Sequence, residues 1–195
     1  MDNQTKTNLR PTSFSDHIEE LRERARQHIK CGAITPSYNG NLDTSIKILN
    51  EALATELVCV LRYKFHYYNA EGIQAKGVAE EFKEHAQEEQ DHADRIAVRI
   101  KQLGGKPDFN PSTLLSRSHS EYKEGNTLIE MTEEDLIAER IAIESYREII
   151  QYFGENDPTS RRLMEDILAK EEEHAEELSS LLFNLDPARI TKLAA

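Results

Sequence analysis

The sequence predicts an all-α protein: a four-helix bundle with one long crossover between helices 2 and 3, plus a short N-terminal helix. Three observations lead there. Apolar residues recur at three- and four-residue steps through four long segments, the period of an amphipathic helix. Short turns join the first segment to the second and the third to the fourth, so each pair must fold back antiparallel. The motif Glu-x-x-His occurs twice, at Glu89/His92 and Glu171/His174, and each copy follows a helix with one Glu in its apolar stripe. Glu56 lies 33 residues before Glu89, and Glu139 lies 32 before Glu171. That spacing is an internal repeat of a helix pair.

At 195 residues the chain has length for one domain with a substantial core. Charged residues make up 31% and hydrophobic ones 38%, with no Trp, a composition suited to a helix-rich protein in water. No apolar run approaches the roughly 18 residues of a membrane span, and residues 1–10 lack the apolar segment of a secretory signal. Cys31 and Cys59 form no Cys-x-x-Cys, which argues against a disulfide framework or a thiolate metal site. A cytoplasmic location follows as the expectation. The net charge of −12 speaks against a nucleic-acid coat over the whole surface. Residues 1–40 hold six Lys/Arg against five Asp/Glu, so the acidity sits in the remainder.

Residues 1–40 read as an N-terminal tail with a short amphipathic helix, 41–185 as the bundle, and 186–195 as a C-terminal tail. Ile18, Leu21, Ala25 and Ile29 give the first helix, from Ser15 or Asp16 to Cys31, a stripe too thin for a core element. It is expected on a surface or against a neighbouring subunit. Asn41 or Asp43 caps the first long helix, which runs to about Asn69 with Leu49, Leu53, Glu56, Val60 and Tyr63 in its stripe. Ala70-Glu71-Gly72 turns the chain. The second long helix then carries Val78, Phe82, Ala86, Glu89, His92, Ile96 and Ile100 to the stop at Gly104-Gly105. Residues 104–132 are long and Ser-rich with little apolar pattern, as a crossover spanning the bundle requires. Thr132 reads as the N-cap of the third long helix, with Glu133, Glu134 and Asp135 in its first turn. Asp157 caps the fourth, with Pro158 at its first position and its end before Asp186-Pro187.

Carboxylates and imidazoles in apolar seams are costly unless compensated, and bound metal compensates them. Glu56, Glu89, His92, Glu139, Glu171 and His174 would supply four carboxylates and two imidazoles. Four negative charges match two divalent cations, and oxygen-rich ligation with one imidazole per ion suits iron, with manganese as the alternative. The same six residues are the candidate catalytic set. Glu84 and Glu88 face away from the seam, as cavity lining or as a solvated face. His85 among them is a transient iron site or a member of that face. Asp91, Glu172, Glu173, Glu176 and Glu177 read as surface charge, and His66 and His119 have no evident partner.

From about Leu42 to Leu182 the chain resembles the ferritin superfamily, in its bacterioferritin-like and Dps-like non-haem branch. The strings that carry the likeness are Leu49-Asn50-Glu51-Ala52-Leu53-Ala54-Thr55-Glu56-Leu57, Glu89-Gln90-Asp91-His92-Ala93-Asp94-Arg95 and Glu171-Glu172-Glu173-His174. The resemblance implies Glu56 and Glu139 as terminal ligands, Glu89 and Glu171 as bridging ligands, and His92 and His174 as one ligand to each iron. Tyr63 matches a tyrosine beside the di-iron centre, or is an ordinary core tyrosine. Gln90 stands where the family's haem-ligating Met would fall, so haem is not expected. A C-terminal fifth helix is missing and the cysteine pair of thioferritin-type relatives has no counterpart.

The implied function is iron storage and detoxification. A ferroxidase would oxidise Fe(II) with O2 or H2O2 at two irons per subunit and store ferric mineral in a homo-oligomeric shell. The expected shell has 12 subunits, with 24 as the alternative. The rivals are a Dps-type DNA protector and a rubrerythrin-like or manganese-catalase-like peroxide-removing enzyme. Lys6, Arg10, Arg22, Arg24, Arg26 and Lys30 are interleaved with Asp16, Glu19, Glu20 and Glu23, which implies weak DNA binding at most.

Overall fold

The structure, a computed structural model, describes residues 17–186. The expectations for residues 1–13, for the start of the first helix and for most of the C-terminal tail lie outside those residues. The chain divides into two units, Met1–Tyr38 and Asn39–Ala195.

In the first unit α1 spans Ile18–Arg26, shorter than expected, and a separate 3₁₀ turn covers Ile29–Cys31. Gln27 leaves the helix with extended backbone and His28 takes a left-handed conformation at φ 53°. No residue of α1 is buried, so no packing sustains the helix as far as Cys31.

The second unit holds four long helices: α2 (Leu42–Asn69), α3 (Ala75–Gln102), α5 (Leu128–Phe153) and α6 (Pro158–Leu185). The single turn α4 (Leu114–Arg117) interrupts the crossover. α2 packs along α3, and α5 along α6, as the short connections require. The cap of α2 is Asn41, whose side chain accepts from Thr44 N at 3.0 Å. At α6 Asp157 accepts from Ser160 N at 2.9 Å, with Pro158 at the first position.

The crossover descends beside α2 and is tied to it at three levels. Asn50 accepts from Asp108 N at 2.8 Å and donates to Lys106 O at 3.3 Å. Thr55 Oγ1 accepts from His119 N at 2.9 Å. Arg62 donates to Ser120 Oγ and Glu121 O, each at 3.2 Å. Leu114 is inserted against Ala54 and Val58, which buries the second face of α2. The chain therefore arrives at the far end, and α5 starts parallel to α3.

The start of α5 corrects the sequence reading. Its cap is Thr127, whose hydroxyl accepts from Glu130 N at 3.2 Å, while Glu130 Oε2 accepts from Asn126 N at 2.8 Å. Thr132 lies inside the helix and donates to Leu128 O at 2.9 Å. Gly125, at φ 65°, packs so closely on the Met131 backbone that a Cβ there would lie 2.8 Å from its nitrogen. Asp135 is fully buried, and its two oxygens meet Arg62 Nε and His66 Nδ1, each at 2.7 Å. His66 thus has the partner that sequence reasoning did not find.

Candidate metal centre

Near its middle each long helix carries one buried Glu, and α3 and α6 add an imidazole one turn later. The bundle brings Glu56 of α2, Glu89 and His92 of α3, Glu139 of α5, and Glu171 and His174 of α6 into one buried cluster. They form two overlapping sets of four. Glu56, Glu89, His92 and Glu171 make one, and Glu89, Glu139, Glu171 and His174 the other.

The two shared carboxylates straddle the space between the sets. His92 Nδ1 lies 3.0 Å from Glu171 Oε1, 3.2 Å from Glu56 Oε2 and 3.7 Å from Glu89 Oε2. His174 Nδ1 faces the opposite oxygens, Glu89 Oε1 at 3.2 Å and Glu171 Oε2 at 3.5 Å, with Glu139 Oε2 at 4.0 Å. The imidazole rings are 6.3 Å apart and inclined by 27°.

Five buried donor or acceptor atoms here have no hydrogen-bond partner in the protein: Glu89 Oε1, Glu139 Oε2, both oxygens of Glu171 and His174 Nδ1. Buried polar atoms are ordinarily satisfied. Their convergence in one dry space fits a pair of cations, and the oxygen-rich set with one imidazole each fits iron or manganese.

The electrostatics of the metal-free cluster point the same way. Burial, then the Glu89 and Glu171 carboxylates, push both Glu56 and Glu139 well above the usual carboxylate range. Burial would also raise Glu89, but its contacts with Glu56, His174 and His92 outweigh it and hold Glu89 well below that range. Burial acts to lower His174, yet the Glu171 and Glu89 carboxylates beside it carry it up to about 12. The same balance raises His92, through Glu171, Glu56 and Glu89. These shifts favour positive charge where cations would compensate the carboxylates.

A surrounding layer fixes the donors. Glu88 Oε2 lies 2.7 Å from His174 Nε2, and Lys170 Nζ lies 3.3 Å from Glu88 Oε1. A proton on Nε2 directed at Glu88 leaves Nδ1 to face the cluster. Tyr63 donates its hydroxyl to Glu139 Oε1. Burial and the Glu139 carboxylate raise the phenol, so it stays a donor. Tyr63 therefore lies in contact with the cluster, the alternative to a plain core tyrosine. Glu88 was missed as a partner of His174 because nothing in its spacing separates it from solvated glutamates. Glu177 was likewise read as surface charge, but it approaches His85 Nε2 at 3.0 Å.

Fold and donor arrangement together define the class: a four-helix bundle built around a candidate dinuclear carboxylate centre. The ferritin-like domain matches residues 46–187, and the chain belongs to that family. The bacterioferritin of Brucella melitensis is 33% identical over 140 residues, covering 70% of this chain and 81% of that protein. Among solved structures, the dodecameric thioferritin of Bacteroides fragilis, a bacterioferritin-related protein, superposes with a TM-score of 0.72 at 31% identity. It covers 79% of this chain and 92% of that one. The bacterioferritin of Desulfovibrio desulfuricans, described with its diiron site in different catalytic states, gives 0.67 at 27% identity over 78% and 86%.

Proposed function

We propose that the chain is an iron-storage and detoxification protein that oxidises Fe(II) to Fe(III) and keeps the product as ferric mineral inside a shell of identical subunits. The observation that carries this reading is the pair of overlapping donor sets sharing Glu89 and Glu171, with their unsatisfied atoms directed at one another. The bacterioferritin relatives support it. Glu56, Glu89, His92 and Glu171 would hold one ion, and Glu89, Glu139, Glu171 and His174 the other. Cytoplasm is the proposed setting, and among the described residues no helix is long and apolar enough to cross a membrane.

Two Fe(II) give up two electrons, which convert O2 and two protons to H2O2, or H2O2 and two protons to two waters. The chain's own residues set the conditions. Glu89 and Glu171 present one oxygen to each side, so these two side chains would contribute to holding both ions. Burial of all six donors keeps bulk water out and strengthens each electrostatic contact. Glu56 and Glu139 give up their protons as Fe(II) enters. Tyr63 steadies Glu139, and Glu88 fixes the orientation of His174.

The test is Fe(II) oxidation followed optically on the Glu56→Ala/Glu139→Ala protein, checked for folding by circular dichroism. Oxidation should fall to the rate of Fe(II) in buffer. A rate equal to that of the unaltered protein would sink the assignment.

A further inference from the structure

Two surfaces of the chain are apolar and have no cover within their own unit. The first is α1. Its nine residues fall short of the roughly 12–15 at which an isolated helix holds in water, and none of them is buried. Ile18 and Leu21 are 38% and 42% exposed, and with Ala25 they share one face at the i, i+3, i+7 spacing. The charges are sorted around that face. At about 100° per residue, Arg22 and Arg26 fall on one flank of the stripe and Arg24 on the other, while Glu19, Glu20 and Glu23 group on the back. Acids and bases that alternate along the sequence thus separate on the helix.

The second is a groove between α2 and α5 of the bundle. Two adjoining hollows, of about 410 and 510 Å³, share Ile141, Ser145 and Glu148 and run along α5 from Ile137 to Tyr152. At about 1.5 Å per residue that stretch is about 22 Å long, against about 14 Å for α1. Ile137 and Tyr152 at its ends are 45% and 39% exposed, and half-buried Ile48 and Ile141 lie between them. Glu51 stands on the α2 wall and Glu148 on the α5 wall. Glu144 and Arg140 line the Ile137 end, so acids outnumber bases along the groove. The exposed Lys47 approaches Glu51 from outside, at 3.7 Å.

We propose that this groove seats α1 of a second copy of the chain. Ile18, Leu21 and Ala25 enter over Ile48 and Ile141, and the arginines on the two flanks of the stripe meet Glu51 and Glu148 on the two walls. Helices that dock in grooves use apolar anchors at this spacing, and opposed charges at the rim set orientation more than strength. The occupant is the chain itself because both complementary faces are on it. Each copy offers one α1 and one groove, so in an assembly of identical subunits every groove can be filled. α1 precedes the ferritin-like region, which begins at residue 46, so the contact is a tether additional to any between the bundles.

The experiment is cross-linking of the full chain in a Cys31→Ser background, which removes the exposed thiol and leaves Cys59 buried. A tagged chain with Leu21→Cys and an untagged chain with Ser145→Cys are co-expressed and treated with a short bis-maleimide. A linked heterodimer is the expected product. Its absence would overturn the proposal. So would a link that forms only when both cysteines are on one chain, which would mean that each groove holds its own α1. Hydrogen exchange gives a second reading that needs no engineered thiol. Glu51→Lys/Glu148→Lys changes only the groove walls, yet the amides of α1 should exchange about tenfold faster in that variant than in the unaltered protein. Equal exchange in the two proteins would also overturn the proposal.

Discussion

At the scale of single residues, the centre depends on side chains that never touch its ions. Glu88 is bonded to the outer nitrogen of His174 at 2.7 Å and approached by Lys170 at 3.3 Å. Outer partners of ligating histidines commonly contribute 10–100-fold in metal affinity. Glu88→Gln should therefore weaken one of the two ions by about that factor and leave the ion at His92 unchanged, as a biphasic Co(II) titration would show. A single phase with both affinities intact would refute this role. The protonation pattern leads to a second expectation. Glu56, Glu139, His92 and His174 all hold protons more tightly in the folded chain than in the unfolded one. The native state then binds more protons, so the metal-free fold loses stability as pH rises. For the glutamates the loss begins above the ordinary value of 4.5, and for His174 it extends from 6.5 toward about 12. Glu89 acts oppositely, its contribution being lost as pH falls below 4.5. Melting in chelator should thus shift downward between pH 6 and pH 9. Metal loading should release protons, measurable as a buffer-dependent binding heat.

Among the elements, a buried ion pair ties α2 to α5 beside the crossover. Arg62 of α2, Asp135 of α5 and Ser120 of the crossover are all buried, and Arg62 Nε meets Asp135 Oδ1 at 2.7 Å. Breaking a buried ion pair from one side leaves an uncompensated charge, at a cost of about 3–5 kcal/mol. Asp135→Ala should lower chemical stability by that amount, whereas Thr127→Ala, which removes only the cap of α5, should lose about 1 kcal/mol. Denaturant titration of the two variants would rank them, and the reverse order would mean that the pair contributes little. These elements also mark how far the sequence could be read. The caps at Asn41 and Asp157 were legible because each precedes a clear apolar period. The six donors were legible because they interrupt such periods at repeated spacing. The cap at Thr127 was hidden behind the acidic run at 133–135, although Thr127-x-x-Glu130 is itself a capping pattern. Arg62, His66 and Asp135 were not legible at all. Charge reads as surface until the partner is known, and the partners lie 73 and 69 residues apart.

For the molecule as a whole, oxidation chemistry and storage separate physically. All six donors of the proposed dinuclear centre come from one chain, so that centre would need no second subunit. A mineral store does need one, because among the described residues the interior of the bundle is packed with side chains and offers no room for a mineral particle. The outer surface displays large apolar side chains, among them Val98, Phe109 and Leu115, which are candidates for cover by a second copy. A net charge of −12 on each copy opposes assembly over distances comparable to the Debye length, about 8–10 Å at ordinary salt. Assembly should therefore tighten as salt is raised. Charges placed on the apolar surface should do the reverse: Val98→Asp with Leu115→Asp is expected to convert the shell to small species by light scattering. Those species should still bind the core pair of Co(II) ions per chain and oxidise the first Fe(II) equivalents at the rate of the intact protein. They should lose the capacity to hold additional iron in solution. An unchanged size would place these two side chains outside the interface. Dispersed chains that kept full iron capacity would show instead that storage does not require a shell.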